Sequence, residues 1–291
     1  MDLIAVGDVM IDVRTDAPSL ARGGDVHGRV ALTPGGTSAN AAVWAVWDGG
    51  SARVHARVGD DLAGRLLEAS LAERGVDPAL RFDTDAPTGT MLVVVEAGER
   101  SMVADRGASA RLSPDDLPPI LEAGAVLVSG YLVLHPATTD VAVEAIRRAR
   151  GPFVAVDAAS WPLIEGFGAD RFLDETTAAG ATVILANDRE AEALTGRSGA
   201  EAALALGERF RMAAVKRGAS GAVLVLDGSC VDAAAEPIEE VDPTGAGDAF
   251  DGVLLAGLGR GFEPEEALRR ACHAGALVAA SRGNWPNAGR A

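Results

Sequence analysis

The chain has 291 residues, with 42 acidic side chains against 26 basic ones and a net charge of −16. With 48% apolar and 23% charged residues it reads as a globular protein long enough to bury a sizeable core. A pI near 4.6 argues against a general nucleic-acid binder, which needs clustered cations, and no uniformly apolar run of about 20 residues is present to span a membrane.

The N-terminal segment carries Asp2 and Asp8 and no basic cluster. It is not a signal peptide and reads as a cytoplasmic start. Apolar runs of strand length recur at residues 3–7, 52–58, 125–129, 153–157, 182–186, 213–216 and 222–226. Helical spacing lies between them at 37–47, 61–74, 136–150 and 200–211; in the second of these, Leu62, Leu66, Leu67 and Leu71 make one face. This alternation predicts an α/β fold with a mostly parallel central sheet flanked by helices on both faces. Two segments break it. Residues 12–32 are polar and Gly-rich, with too few apolar positions for a core strand, and residues 88–104 read as a hairpin turning at Ala97-Gly98-Glu99-Arg100. Together they predict a small β lid, from about residues 12–34 and 88–106. No repeat or low-complexity linker divides the chain, so residues 1–291 form a single domain. Cys230 and Cys272 have no CxxC or His spacing, which disfavours a zinc site or disulfide and reads both as small buried hydrophobes.

Several chemistries are missing from the sequence. Lys216, the only lysine, is followed by Arg217, so there is no Walker A loop; HRD, DFG, HExxH and Gly-x-Ser-x-Gly are absent too. The nearest approach to a dinucleotide fingerprint, at Gly257, Gly259 and Gly261, follows a helix, which disfavours a nucleotide-dependent oxidoreductase. The strongest local signal is Asp242-Pro243-Thr244-Gly245-Ala246-Gly247-Asp248 ahead of an apolar helical stretch. Such a turn directs backbone N–H groups at an anion, and a carboxylate in the next helical turn either complements the helix dipole or takes a proton from an attacking hydroxyl. A second turn, Gly35-Gly36-Thr37-Ser38-Ala39-Asn40, opens the 37–47 helix. Its glycines admit a ligand close to the backbone, or Thr37 or Ser38 caps the helix, or both. Asp12 can accept two hydroxyls of a polyol or be a loop residue. Asn187 and Glu190, at a strand's carboxyl end, either hold hydrated Mg²⁺ beside phosphates or form a capping box. Lys216-Arg217-Gly218 ends another strand.

These four features, in this order, resemble the ribokinase-like (PfkB) family of carbohydrate kinases. GGTSAN and DPTGAGD look like its two signatures, and the likeness runs from Gly7 to about Gly283. The resemblance implies a ribokinase-like fold and an ATP-dependent sugar kinase that phosphorylates a hydroxymethyl group. It implies Asp248 as general base and an anion hole from the N–H groups of Gly245, Ala246 and Gly247. Asp12, Gly35, Gly36 and Asn40 would hold the sugar. Asn187, Lys216 and Gly218 would bind ATP, with Gly247 beside them and Glu190 organising Mg²⁺ through water. Asp242 and Thr244 match the family's K⁺ position. Arg106 resembles a lid arginine that 2-keto-3-deoxygluconate kinases use on the substrate carboxylate, although their second arginine, after the 153–157 strand, is missing here.

Departures from the pattern are Pro243 where Thr is frequent, Val253 where Gly is frequent, and an end at Ala291 that implies a missing final helix. A nucleoside kinase of the same fold, or a non-catalytic sugar- or nucleotide-binding regulator, are the alternatives. The implied partners are a small sugar and ATP, with no nucleic acid and no membrane, and an exposed lid edge invites a homodimer through the lid.

Overall fold

Val, Leu, Ile and Ala fill the short runs between polar and glycine-rich turns, and these runs become strands with both faces covered. A computed structural model describes residues 1–17, 23–96 and 99–286. In chain order its strands are β1 (Leu3–Val6), β2 (Met10–Ala17), β3 (Arg29–Gly35), β4 (Ala52–Gly59), β5 (Asp77–Asp83), β6 (Thr90–Glu96), β7 (Glu99–Asp105) and β8 (Leu121–Glu122). They continue as β9 (Ala125–Val128), β10 (Ala149–Arg150), β11 (Phe153–Asp157), β12 (Val183–Asn187), β13 (Met212–Lys216), β14 (Ala222–Leu226) and β15 (Ser229–Ala233).

Among the described residues the main sheet has nine strands in the order β15-β14-β13-β12-β11-β9-β1-β4-β5. It is parallel from β5 to β13 and antiparallel at the β13-β14-β15 edge. Successive residues of β1 face opposite layers: Leu3 and Ala5 join the core under the Thr37–Trp47 and Ala246–Gly259 helices, while Ile4 and Val6 join the other. From β1 the chain winds outward through β4 and β5, then resumes on the other side at β9. The carboxyl ends of β1 and β9 therefore border a topological switch point, where open α/β sheets bind ligands.

The lid is a second sheet, β3-β2-β6-β7, in which β2 pairs antiparallel with β3 and parallel with β6. The expected small sheet is thus present, and the polar 12–32 segment supplies two of its strands. Their pattern is weak because β3 is exposed along its first four residues. Residues 97 and 98 of the expected turn lie outside the described residues.

Other expectations need correction. The 136–150 helix runs only from Thr139 to Arg148, after which Ala149–Arg150 pairs with β8. β5 was not foreseen, because at the sheet edge its residues are mostly half-buried and make no apolar run. Cys230 is exposed on the edge strand β15, whereas Cys272 is buried as expected. Gly252, beside the unusual Val253, carries the close helix contact: a Cβ there would lie 2.0 Å from the Ala41 carbonyl oxygen. Among the described residues no helix is long and apolar enough to cross a membrane.

Candidate active site

The glycines of the second signature shape the start of a helix. Gly245 sits at φ +82, a left-handed conformation that favours glycine, and caps the Ala246–Gly259 helix. The Ala246 N–H donates to the Pro243 carbonyl at 3.1 Å and closes the turn. The N–H groups of Gly247 and Asp248 fall in the first helical turn, where no carbonyl four residues back belongs to the helix. Lys216 Nζ lies beside Gly247, 3.4 Å from where a Cβ would stand. The helix N-terminus and the chain's only ammonium thus converge on one spot, an electrostatic setting for a phosphoryl group.

Asp248 stands in that first turn. Burial pushes its carboxyl up to about 7; the hydrogen bond from Asn40 Nδ2, 2.7 Å from Oδ2, pulls it back down, and neighbouring Asp251 pushes it up again. A carboxylate titrating near neutrality is suited to act as a general base.

On the lid side of Asp248, Asp12 projects from β2 and accepts from Asn284 Nδ2 at 2.6 Å. Burial raises Asp12 to about 6 despite that hydrogen bond. The paired glycines exist to clear this corner: a Cβ at Gly35 would meet Asp12 Oδ2 at 2.5 Å, and one at Gly36, with φ +98, would meet the Asp8 carbonyl oxygen at 2.4 Å. Gly36 is itself the helix cap, so neither Thr37 nor Ser38 caps the helix. Arg106 also reaches this side, donating to Asp8 Oδ1 at 2.8 Å and Thr138 Oγ1 at 3.4 Å.

On the other side a cavity of about 590 Å³ is lined by Asn187, Glu190, Lys216, Gly218, Gly247 and Asp248, among others. Asn187 and Glu190 form both halves of a capping box, with the Glu190 N–H donating to Asn187 Oδ1 at 3.0 Å and the Asn187 N–H to Glu190 Oε2 at 2.9 Å, and Asn187 Nδ2 also donates to Oε1 at 2.6 Å. Lys216 Nζ donates to both oxygens of Asp251, at 2.9 and 2.8 Å. Asp157 accepts from the Gly130 N–H at 2.7 Å. Burial raises Asp157, Glu190 and Asp251, with Asp251 adding to the first two. Among the described residues no group of three or more His, Cys, Asp or Glu side chains is arranged to hold a metal. The carboxyl oxygens that line the cavity, of Asp157, Glu190, Asp248 and Asp251, are the hard donors that suit a hydrated divalent ion carried on phosphates.

Asp242 accepts from the Thr244 N–H at 3.1 Å and from Thr244 Oγ1 at 2.7 Å, and also pairs with Arg14 of β2. The structure thus gathers the expected residues around Asp248, with Asp12, Gly35, Gly36, Asn40 and Arg106 on one side and Asn187, Glu190, Lys216 and Gly218 on the other. Sequence reasoning missed Asp251, Arg14, Asn284 and Trp285. Asp251 had a signal, a second acid one turn after Asp248 in an apolar helix. Asn284 and Trp285 had none, since they follow the last helix in a short polar stretch.

A glycine-shaped helix start, a carboxyl raised toward neutrality and a crevice at the sheet's switch point make an arrangement suited to phosphoryl transfer. The chain belongs to the pfkB family of carbohydrate kinases, whose model matches residues 1–286. It is 32% identical to a fructokinase of Klebsiella pneumoniae over 301 residues, covering 96% of this chain and 93% of that one. Among solved structures, adenosine kinase from Sinorhizobium meliloti superimposes with a TM-score of 0.87 at 24% identity, over 98% of this chain and 95% of the other. Aminoimidazole riboside kinase from Salmonella enterica, solved with aminoimidazole riboside and an ATP analogue, gives 0.79 at 25% identity, over 97% and 95%. The ribokinase-like fold and the kinase class are therefore as the sequence implied.

Proposed function

We propose that this kinase transfers the γ-phosphoryl group of ATP to a hydroxymethyl group of a small, uncharged sugar, with Asp248 as general base. The observation that carries this reading is the position of Asp248, at the phosphate-binding helix start and between the lid-side polar cluster and the large cavity. ATP fits the cavity, with Asn187, Lys216 and Gly218 along it. Asp12, Asn40 and the backbone at Gly35 and Gly36 offer hydroxyl partners on the lid side. Arg106 is already matched by Asp8, which removes the free cation an acidic sugar would need.

The acceptor oxygen attacks the γ-phosphorus as the bond to the β,γ-bridging oxygen breaks, the hydroxyl proton passes to Asp248, and ADP leaves. The Gly245 and Gly247 N–H groups form the anion hole; the Ala246 N–H, spent on Pro243, shapes it. Glu190 would hold a hydrated Mg²⁺ through water, and the ion would supply charge neutralisation for the phosphates. A K⁺ ion at Asp242 and Thr244 would compete with Arg14 for the same carboxylate. A second copy of the chain would cover the apolar residues exposed on the lid, Val30, Leu32, Met102 and Val103.

A coupled ADP-release assay over ribose, fructose, 2-keto-3-deoxygluconate and nucleosides tests the reading, with and without KCl. Asp248→Asn is expected to bind ATP and to lose about 10²–10⁴-fold in rate. Near-normal turnover by that variant would remove Asp248 from the role of base. Fastest turnover on a nucleoside, or on the acidic sugar, would refute the uncharged sugar. Sedimentation at micromolar concentration reads the dimer.

A further inference from the structure

The stretch after the last helix is tied into the active site from several directions. Trp44 Nε1 donates to the Asn284 carbonyl at 2.8 Å, Asn284 Nδ2 donates to Asp12, and Arg74 bonds the Pro286 carbonyl while lying over the Trp285 ring at 5.6 Å. From this fixed position Trp285 Nε1 donates to Asn40 Oδ1 at 2.8 Å, and Asn40 Nδ2 donates onward to Asp248 Oδ2 at 2.7 Å. An indole N–H can only donate, so the Asn40 oxygen must face Trp285 and its NH₂ must face Asp248. That orientation accepts only an unprotonated Oδ2 on Asp248.

We propose that Trp285 is a positioning residue for phosphoryl transfer: through Asn40 it holds Asp248 as a hydrogen-bond acceptor at Oδ2 and leaves Oδ1 to take the acceptor's proton. The proposal rests on Asp248 being the base. Without the indole N–H, Asn40 is free to rotate, and Asp248 loses the donor that opposes its desolvation. Besides the Asn40 amide, the titratable groups around Asp248 are Asp251 on its own helix, Lys216 on β13, Asp12 on β2, Asp157 on β11 and Tyr131. All of them stay in place when only Trp285 changes.

Trp285→Phe keeps an aromatic ring under Arg74 and removes only the donor. With MgATP and whichever acceptor the panel identifies, it is expected to lower kcat about 5- to 10-fold, the worth of one hydrogen bond. The KM for MgATP should stay as in the wild type, and the melting temperature should fall by only a few degrees, the cost of leaving the Asn40 oxygen without its donor. The acid limb of the kcat–pH profile should move to higher pH by about half a unit or more, because losing a donor to the carboxylate raises its pKa. Asn40→Ala combined with Trp285→Phe should be no slower than Asn40→Ala alone, since both act along one path. Wild-type kcat and pH profile in Trp285→Phe, or additive losses in the double variant, would overturn the proposal. Asp248→Asn measured alongside separates the two ideas: if that variant remains fast, the base assignment fails; if it is slow while Trp285→Phe is normal, only the role of Trp285 fails.

Discussion

The two sides of Asp248 are built from different materials. Toward the lid, Asp12 and Asp248 are met by the neutral amides of Asn284 and Asn40, which orient them without cancelling charge. Toward the cavity, Asp157, Glu190 and Asp251 crowd around one ammonium, Lys216, and burial raises all three carboxyls. On the proposed reading, the lid side would take a neutral, hydroxyl-rich ligand. The cavity side carries three carboxyls against one ammonium, an imbalance that a divalent cation brought in with ATP would offset. On that reading, one face would select by hydrogen-bond geometry and the other by charge.

Breaking each side in turn gives the sharpest contrast, and the largest effect belongs to the cavity. Lys216→Met is expected to raise the KM for MgATP about 10- to 100-fold, the worth of a charge-assisted hydrogen bond, and to leave the sugar KM unchanged. Because it also strands Asp251, the double variant Lys216→Met with Asp251→Leu serves as the folding control. Asp12→Asn should do the reverse, with a sugar KM about 10-fold higher and an unchanged KM for MgATP. If either variant moves both constants together, the two sides are not independent.

A smaller effect is expected with pH. Asp248 must be unprotonated to accept a proton, and burial lifts it to about 7, so kcat/KM should rise as pH increases through about 7 and level off above it. Asp12, near 6, is ionised before Asp248 and should not set the limb. A limb below about 5 would mean that Asp248 keeps an ordinary carboxylate pKa and that the lid side does not desolvate it.

The core strands and the Thr37–Trp47 helix were legible because their signals are local: buried runs, and glycines before an apolar periodic stretch. The lid strands were legible only as an exception to the alternation, since a strand exposed along much of its length carries no buried pattern. Asp248 and Asn40 were found because each sits in a short motif at a helix start. Lys216 stood out as the only lysine of the chain and by its place at the end of a strand.

What the sequence determined by itself is whatever a few neighbouring residues can encode, namely the period of an element, the turn before a helix and the type of group that turn presents. Tertiary structure alone decided the partners: Lys216 with Asp251, Arg14 with Asp242, Asn284 with Asp12, and Trp285 with Asn40 across 245 residues. Such contacts depend on where the last segment of the chain returns to the first, and no periodicity or local spacing records that closure. The kinase class was thus written in two glycine turns. The hydrogen-bond partners around Asp12, Asn40 and Asp248 were decided by the packing that brings Asn284 and Trp285, after the last helix, against those turns.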